Sequence, residues 1–292
     1  LPAWIALTSN GIWSRSQVEW IVDHLDQVGI SMDGSPRTQD RQRPFASGRG
    51  SADWVMRTLA ALDRRSFRYG IRMTATAPWE RLPEEVRFLC QATGCRSIQV
   101  EPAFNQQRGE HRQGDAQETR RFAQAFLEAY DLAAAAGRRL YCSSARLGLV
   151  TPTFCLAPYQ GLIVNAEGQL VTCYEVSDSA HPLSDLSTIG RIEAGQVQVD
   201  FARRARLHAL LAERRRGCRD CFCYWSCAGD CYPRAHGDGP ERRLVYGARC
   251  EMNRELTAQL LLRAIAAQGG VWRSAWRATP AAAILYEDGG LG

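Results

Sequence analysis

The sequence predicts an α/β chain in two parts, and three observations carry that expectation. Residues 1–145 alternate short apolar runs of strand character with amphipathic helical runs, the pattern of a parallel β/α architecture. From residue 146 the pattern changes to short strands separated by turn residues, a small α+β domain of hairpins and loops extending to residue 266. Seven of the eleven cysteines fall in that second part as one spaced array: Cys155, Cys173, Cys218, Cys221, Cys227, Cys231 and Cys250. Residues 267–292 form a tail whose one pattern is the apolar run 281–286.

Taken in order, residues 5–7 read as a strand ending at Thr8-Ser9-Asn10-Gly11. A helix with Ser16 as its N-cap then puts Val18, Ile21, Val22 and Leu25 on one face. Residues 28–32 are the next strand, closed by the turn pair Asp33-Gly34. A polar loop over 35–50 leads to a helix from Ser51 with Trp54, Val55 and Leu59 inward. Strand 69–76, helix 83–92 and strand 97–101 continue the alternation. Asp115 and Glu118 make a capping box for a helix carrying Phe122, Phe126 and Tyr130, which Gly137 ends. In the second part, 161–164 and 169–173 pair about a turn at 165–168, and 188–192 pairs with 196–199. A helix over 201–215, the dense cysteine segment 218–231 and a helix over 251–267 complete the reading.

Apolar residues make up 45 % and aromatics 9 %, as in ordinary globular proteins. No apolar run reaches the length of a membrane span and no secretory signal is legible, so a cytoplasmic protein without a membrane partner is expected. Eleven cysteines in such a chain argue for a reducing compartment rather than a disulfide framework. The chain opens on Leu1 inside a strand-like stretch, which suggests a piece of a longer protein. Its formal charge of +5 comes from arginine alone, without a single lysine. The arginine clusters at 203–204 and 214–216 lie near acidic residues on a helix, so they read as solvated surface rather than a nucleic-acid face.

The cysteine array is C-x12-G-x4-C, 44 residues, C-x2-C-x5-C-x3-C, 18 residues and a last C. Thiolates suit both zinc and iron–sulfur clusters. A non-catalytic module, zinc-structural or electron-carrying, is therefore one reading. Against zinc stand the wide x5 and x3 spacings and a total of seven ligands, since structural zinc closes its shell of four. A cluster can leave one iron open or accept a different ligand.

The array resembles the SPASM domain of radical S-adenosylmethionine (radical SAM) enzymes over residues 146–255, including all seven cysteines and Gly168. Cys227-Ala228-Gly229-Asp230-Cys231 is close to that family's CxGxC-like ending. Earlier, Thr8-Ser9-Asn10-Gly11 resembles the TNG strand end of radical SAM barrels. Ser31-Met32-Asp33-Gly34 with Asp40 and Arg43 resembles SLDG…HDxxR, with Gln39 where His is usual. Ile98-Gln99-Val100-Glu101-Pro102 resembles the last barrel strand.

The resemblance implies a partial (β/α)6 barrel over 1–145, from its third strand onward with a connecting helix and strand, followed by a SPASM domain over 146–266. It implies two auxiliary [4Fe–4S] clusters. Cys155, Cys173 and Cys231 would serve the barrel-proximal one, with Cys142 a candidate fourth ligand unless that iron is open or held by another residue type. Cys218, Cys221, Cys227 and Cys250 would serve the distal one, with Cys223 a spectator. Cys90 and Cys95 read as small buried apolar residues. Phe222, Tyr224 and Trp225 could keep water from a cluster or simply pack in the core.

For SAM, the resemblance implies hydrogen bonds from Ser9, Asn10, Ser31 and Asp33, a bidentate pair between Arg43 and the methionine carboxylate, and Glu101 in the same pocket. Against this stands plain turn formation by Asn-Gly and Asp-Gly. The CxxxCxxC motif of the third, catalytic [4Fe–4S] cluster does not occur in the sequence, nor does a GGEP-like strand. SAM cleavage is therefore expected of a full-length parent and not of this chain alone. That parent would use an external electron donor and a 5′-deoxyadenosyl radical to abstract hydrogen from a peptide or protein substrate, the auxiliary clusters anchoring substrate or accepting an electron. Tyr174 follows Cys173 where sulfatase-maturing members carry an acid, so that subtype is not expected. The five histidines, His24, His111, His181, His208 and His236, form no triad, and no catalytic acid or base is assigned.

Overall fold

A computed structural model describes residues 4–104, 114–235 and 247–271. The described residues divide into two compact units, one of those up to 147 with the last helix from 255, the other of those between 148 and 254. The second unit ends inside the last helix. The run 281–286, His111 and His236 lie outside the described residues. Among the described residues no helix is long and apolar enough to cross a membrane.

The first unit alternates β1 (Ala6–Ser9), α1 (Arg15–His24), β2 (Gln27–Ser31), α2 (Pro36–Gln42), α3 (Ala52–Arg64) and β3 (Tyr69–Ala75). A 3₁₀ turn (Trp79–Arg81), α4 (Leu82–Ala92), β4 (Ser97–Pro102), α5 (Ala116–Ala135) and β5 (Arg139–Tyr141) follow. All strand pairs are parallel and the sheet order is β1-β2-β3-β4-β5. Parallel neighbours in sequence order require a crossover each time, and crossovers of one hand put the helices on one face. The registered side chains agree. Val28, Ile30, Ile71, Met73, Ile98, Val100 and Leu140 are buried, and so are the helix residues Leu59, Val86, Leu89 and Phe126. Trp79 and Phe126 each meet Phe122 at ring-centroid distances of 5.5 and 6.0 Å. The alternate positions of the strands carry Ser31, Arg72, Thr74, Gln99 and Glu101, so the other face is polar.

Two local features differ from expectation. The first helix is capped by Ser14, whose Oγ accepts from Gln17 N at 3.3 Å while Gln17 Oε1 accepts from Ser14 N at 2.8 Å. That reciprocal pair satisfies two helix-end donors where Ser16 offers no such box. Helix α2 lies inside the stretch read as loop. Its Ser35-Pro36 start is a legible signal, but its polar residues give no apolar period to find. The capping box of Asp115 and Glu118 and the left-handed Gly137 (φ 68°) fall where expected.

Helix α2 is latched by Glu85, whose carboxylate accepts from Ser35 N and Thr38 Oγ1, both at 2.5 Å. Gly34 has φ +123°, and a Cβ there would stand 2.3 Å from Glu85 Oε2 and 2.7 Å from Glu85 Cβ. Gly34→Ala should therefore both strain the backbone and displace the latch, costing about 2–3 kcal/mol of unfolding free energy in a urea titration.

The second unit begins with α6 (Ala157–Gln160) and an antiparallel meander of β6 (Ile163–Val164), β7 (Gln169–Val171), β8 (Thr188–Glu193) and β9 (Gln196–Val199), interrupted by α7 (Ser184–Ser187). Val171, Val176 and Leu183 form its core, with Ile163 and Cys173 against it. Helix α8 (Phe201–Arg216), the one-turn α9 (Tyr224–Cys227) and α10 (Tyr232–Ala235), and α11 (Ala248–Ala267) carry the cysteine segment.

Candidate metal centre and cofactor face

On the polar face of the first unit, register aligns Ser31, Arg72, Gln99 and Tyr141 across β2 to β5, with Thr74 and Glu101 one step nearer the C-terminal strand ends. Ligands of parallel sheets bind at those ends. Asp33, just past β2, is buried with its side chain 1 % exposed. Its Oδ1 accepts from Thr74 N at 2.8 Å, and its two oxygens take Nε and Nη2 of Arg43 at 2.6 and 3.1 Å. Nη2 of Arg43 also donates to Thr74 Oγ1 at 3.1 Å. Gln39 Oε1 accepts from Asp33 N at 2.9 Å while its Nε2 donates to Ser51 Oγ at 3.1 Å.

Asp33 is thus held by protein partners, and Nε and Nη2 of Arg43 grip its carboxylate. The pair positions Arg43, whose side chain remains 35 % exposed. Ser9 and Asn10 make a turn: Ser9 Oγ accepts from Gly11 N at 3.2 Å and Asn10 Oδ1 from Ile12 N at 3.1 Å. Glu101 Oε1 accepts from Gln99 Nε2 at 3.1 Å and from Ser143 N at 2.8 Å. Ser31 is half-buried beside Arg72 on the polar face. Gln39 and Thr74 were not legible as site residues, because their role is to hold another side chain.

Cys142 belongs to the first unit, fully buried, with Sγ 3.0 Å from Ser144 Oγ and 4.0 Å from Glu101 Oε2. Cys95 is also fully buried, and burial first of all pushes its thiol from 9.0 up to about 11 against opposing effects of Thr93 and Arg138. A folded value above the unfolded one means the folded state prefers the protonated thiol. The stability this contributes is complete below pH 9 and is lost as pH rises through 11. Cys95→Ala should remove about 3 kcal/mol of the alkaline loss of stability in that window, read by urea unfolding at neutral pH and near pH 11.

In the second unit, Cys218, Cys221, Cys227 and Cys250 line one cavity of about 270 Å³, together with Cys223, Arg214, Tyr224, Asn253 and Arg254. Local backbone explains the gathering. Cys221 N bonds Cys218 O at 2.9 Å, a turn that sets both sulfurs on one bend. After Cys227 three successive left-handed residues, Ala228 (φ 50°), Gly229 (φ 92°) and Asp230 (φ 65°), reverse the chain before Cys231. Two of these are not glycine, so the turn is strained and needs an anchor. Asp230 supplies it, accepting from Arg249 Nε and Nη2 at 2.6 and 3.3 Å with both side chains buried. Because Arg249 precedes Cys250 on α11, the same ion pair brings Cys250 to the cavity.

Burial chiefly pushes Cys227 up to about 12, and Asp230, Cys250 and Cys223 add to the rise while a bond from Asn253 opposes it. Cys173 is likewise pushed up to about 11 by burial; a hydrogen bond from the Glu175 backbone opposes the rise, while the Glu175 charge and Cys155 add to it. Cys231 is pushed up to about 12 by burial against Arg234, with Asp230 and Glu175 adding. Cys155 thus acts on Cys173, and Glu175 acts on both Cys173 and Cys231. Among the described residues no three His, Cys, Asp or Glu side chains already stand at ion-holding distance.

Four thiol sulfurs around one cavity are a donor set that fits a four-iron cluster, and soft thiolates suit zinc as well. Phe222 and Trp225 do not exclude water: they are 57 % and 53 % exposed, with Arg254 over the first ring at 5.9 Å and Arg215 over the second at 4.9 Å. The arginines shield part of the rings, so these aromatics stay at the surface. Tyr224 does line the cavity. Cys223, Arg214 and Asn253 were not read as part of the site, since neither spacing nor charge marks them.

No family model matches this chain, and no curated protein does. Solved structures do. The chain is similar to anSMEcpe with bound AdoMet and the Kp18Cys peptide (TM-score 0.68, 14 % identity, 92 % of this chain and 76 % of that one). It is similar to anSMEcpe with bound AdoMet and the Cp18Cys peptide (0.64, 15 %, 92 % and 77 %). It is also similar to Streptococcus suis SuiB bound to S-adenosylmethionine (0.51, 13 %, 83 % and 58 %). The radical SAM resemblance drawn from the strand ends and the cysteine array is met at the level of the fold: this chain folds like anSMEcpe and SuiB.

Proposed function

We propose that the chain is part of a radical SAM/SPASM enzyme that modifies a peptide, and that it holds two auxiliary [4Fe–4S] clusters. The observation that carries this reading is one cavity lined by Cys218, Cys221, Cys227 and Cys250, the four cysteines that the SPASM resemblance groups. Cys155, Cys173 and Cys231 would hold the second cluster, with Glu175 or a substrate atom as its remaining ligand. When bound, SAM with the parent's catalytic cluster supplies a hydrogen-abstracting radical, and the auxiliary clusters supply a place for substrate or for an electron.

The chain's own residues do the binding and orienting. Arg43, fixed by Asp33 and Thr74, and Arg72 would place positive charge on the polar face, where SAM's carboxylate is matched by its exposed edge. Ser31 and Gln99 would hydrogen-bond the ribose, while Ser9 and Asn10 would shape the turn beside it. Glu101 would hold Gln99 and the Ser143 amide. The fold likeness to anSMEcpe with bound AdoMet and a peptide supports this assignment.

Anaerobic loading with iron and sulfide should give a brown protein with about eight irons per chain, two four-iron clusters' worth. A colourless protein holding two zincs and no iron would overturn the reading in favour of a structural metal module. With SAM and a reductant added, the loaded chain should form no 5′-deoxyadenosine, because the sequence holds no CxxxCxxC.

A further inference from the structure

We infer that Arg214, assisted by Asn253, raises the reduction potential of the cluster held by Cys218, Cys221, Cys227 and Cys250; the inference rests on the cluster reading above. Arg214 lies in the last turn of α8 and is buried, an unusual place for an arginine unless something calls for its charge. Its Nε donates to Gly229 O at 2.5 Å and its Nη2 to Cys250 Sγ at 3.8 Å. Asn253, one helical turn beyond Cys250 and 1 % exposed, donates Nδ2 to Cys227 Sγ at 3.7 Å. Two of the four sulfurs therefore each receive an N–H···S bond from a buried donor.

The charge around the cavity points the same way. Among the described residues no Asp or Glu lines it, while Arg214 and Arg254 do. Asp230, whose charge acts on Cys227, is paired with the buried Arg249. Gaining one electron makes a four-thiolate cluster one charge more negative. A buried cation and N–H donors aimed at its sulfurs stabilise that reduced form more than the oxidised one, which raises the potential. Arg214 is a positioning and potential-setting residue, and it gives this cluster the character of an electron acceptor.

The test uses the full chain carrying Cys155→Ala and Cys173→Ala, so that this cluster alone is read after anaerobic loading with iron and sulfide. About four irons per chain are expected. No iron at all overturns the cluster reading and this inference with it, an outcome distinct from those that follow. With four irons bound, a dithionite titration followed by electron paramagnetic resonance gives the midpoint potential. Arg214→Leu should lower the reduced-to-oxidised ratio at the unsubstituted midpoint about tenfold, which is about 59 mV for a one-electron couple. Arg214→Lys, which keeps the charge, should hold the ratio, and Asn253→Leu should lower it about threefold, less than loss of the cation does. A fully loaded Arg214→Leu chain with an unshifted midpoint overturns the inference. If that variant takes up no iron, Arg214→Gln decides: a lowered midpoint supports the role of the charge, and an unchanged one overturns it.

Discussion

Replacing Cys218, Cys221 and Cys223 together by alanine should lower bound iron from about eight to about four per chain, whereas Cys223→Ala alone should leave it at about eight. The triple change leaves two sulfurs, Cys227 and Cys250, in a cavity that presented five. Two thiolates cannot hold a four-iron cube, which is gripped by four ligands. The single change tests whether Cys223 is a spectator, since four thiols remain around the space. Iron and sulfide assays and the visible absorbance read both results. Retention of eight irons by the triple variant would place both clusters elsewhere and sink the assignment of this cavity. Cys155→Ala with Cys173→Ala should remove the other four irons, leaving the cavity's cluster spectroscopically isolated.

Arg249→Leu should destabilise the cysteine-bearing unit by about 3–5 kcal/mol, enough to unfold a marginally stable domain. The change leaves the carboxylate of Asp230 buried and unpaired, at a residue already in the left-handed region. Breaking a buried pair costs more than the pair contributes, because the remaining charge has lost its solvation. A double variant, Arg249→Leu with Asp230→Gly, should recover part of that loss, since it removes the stranded charge and supplies the residue that tolerates φ 65°. Urea unfolding of the apo chain reads stability, and iron uptake of each variant reads whether Cys250 still reaches the cavity. If Arg249→Leu costs under about 1 kcal/mol, the range of an exposed pair, the ion pair does not anchor this loop.

Much of the fold was legible because its signals are local and periodic. The alternation of β2, β3 and β4 with α3, α4 and α5 follows from apolar positions at spacings of two and about 3.6, and Asp115 with Glu118 marks a helix start by its own hydrogen bonds. Helix α2 was not legible, because its place is secured by Glu85 from a distant helix rather than by an apolar stripe. The site divides in the same way. The spacing marked all seven cysteines as one metal-ligating array, while the grouping of Cys218, Cys221, Cys227 and Cys250 was implied by the SPASM resemblance. The fate of Arg43 could not be read, since Asp33 lies ten residues away and nothing in the sequence says that the two face each other.

By itself the sequence determined most element types, their order, the polar strand ends and the presence of a spaced cysteine array, because each depends on residues a few positions apart. Only the tertiary structure decided that Asp33 holds Arg43, that Phe222 and Trp225 stay at the surface, and that buried Arg214 and Asn253 face the sulfurs of Cys250 and Cys227. Those outcomes depend on desolvation and on hydrogen bonds between segments far apart in the chain. Charge and polarity are written in the sequence, but the partner that neutralises a buried group is chosen only when the chain has packed.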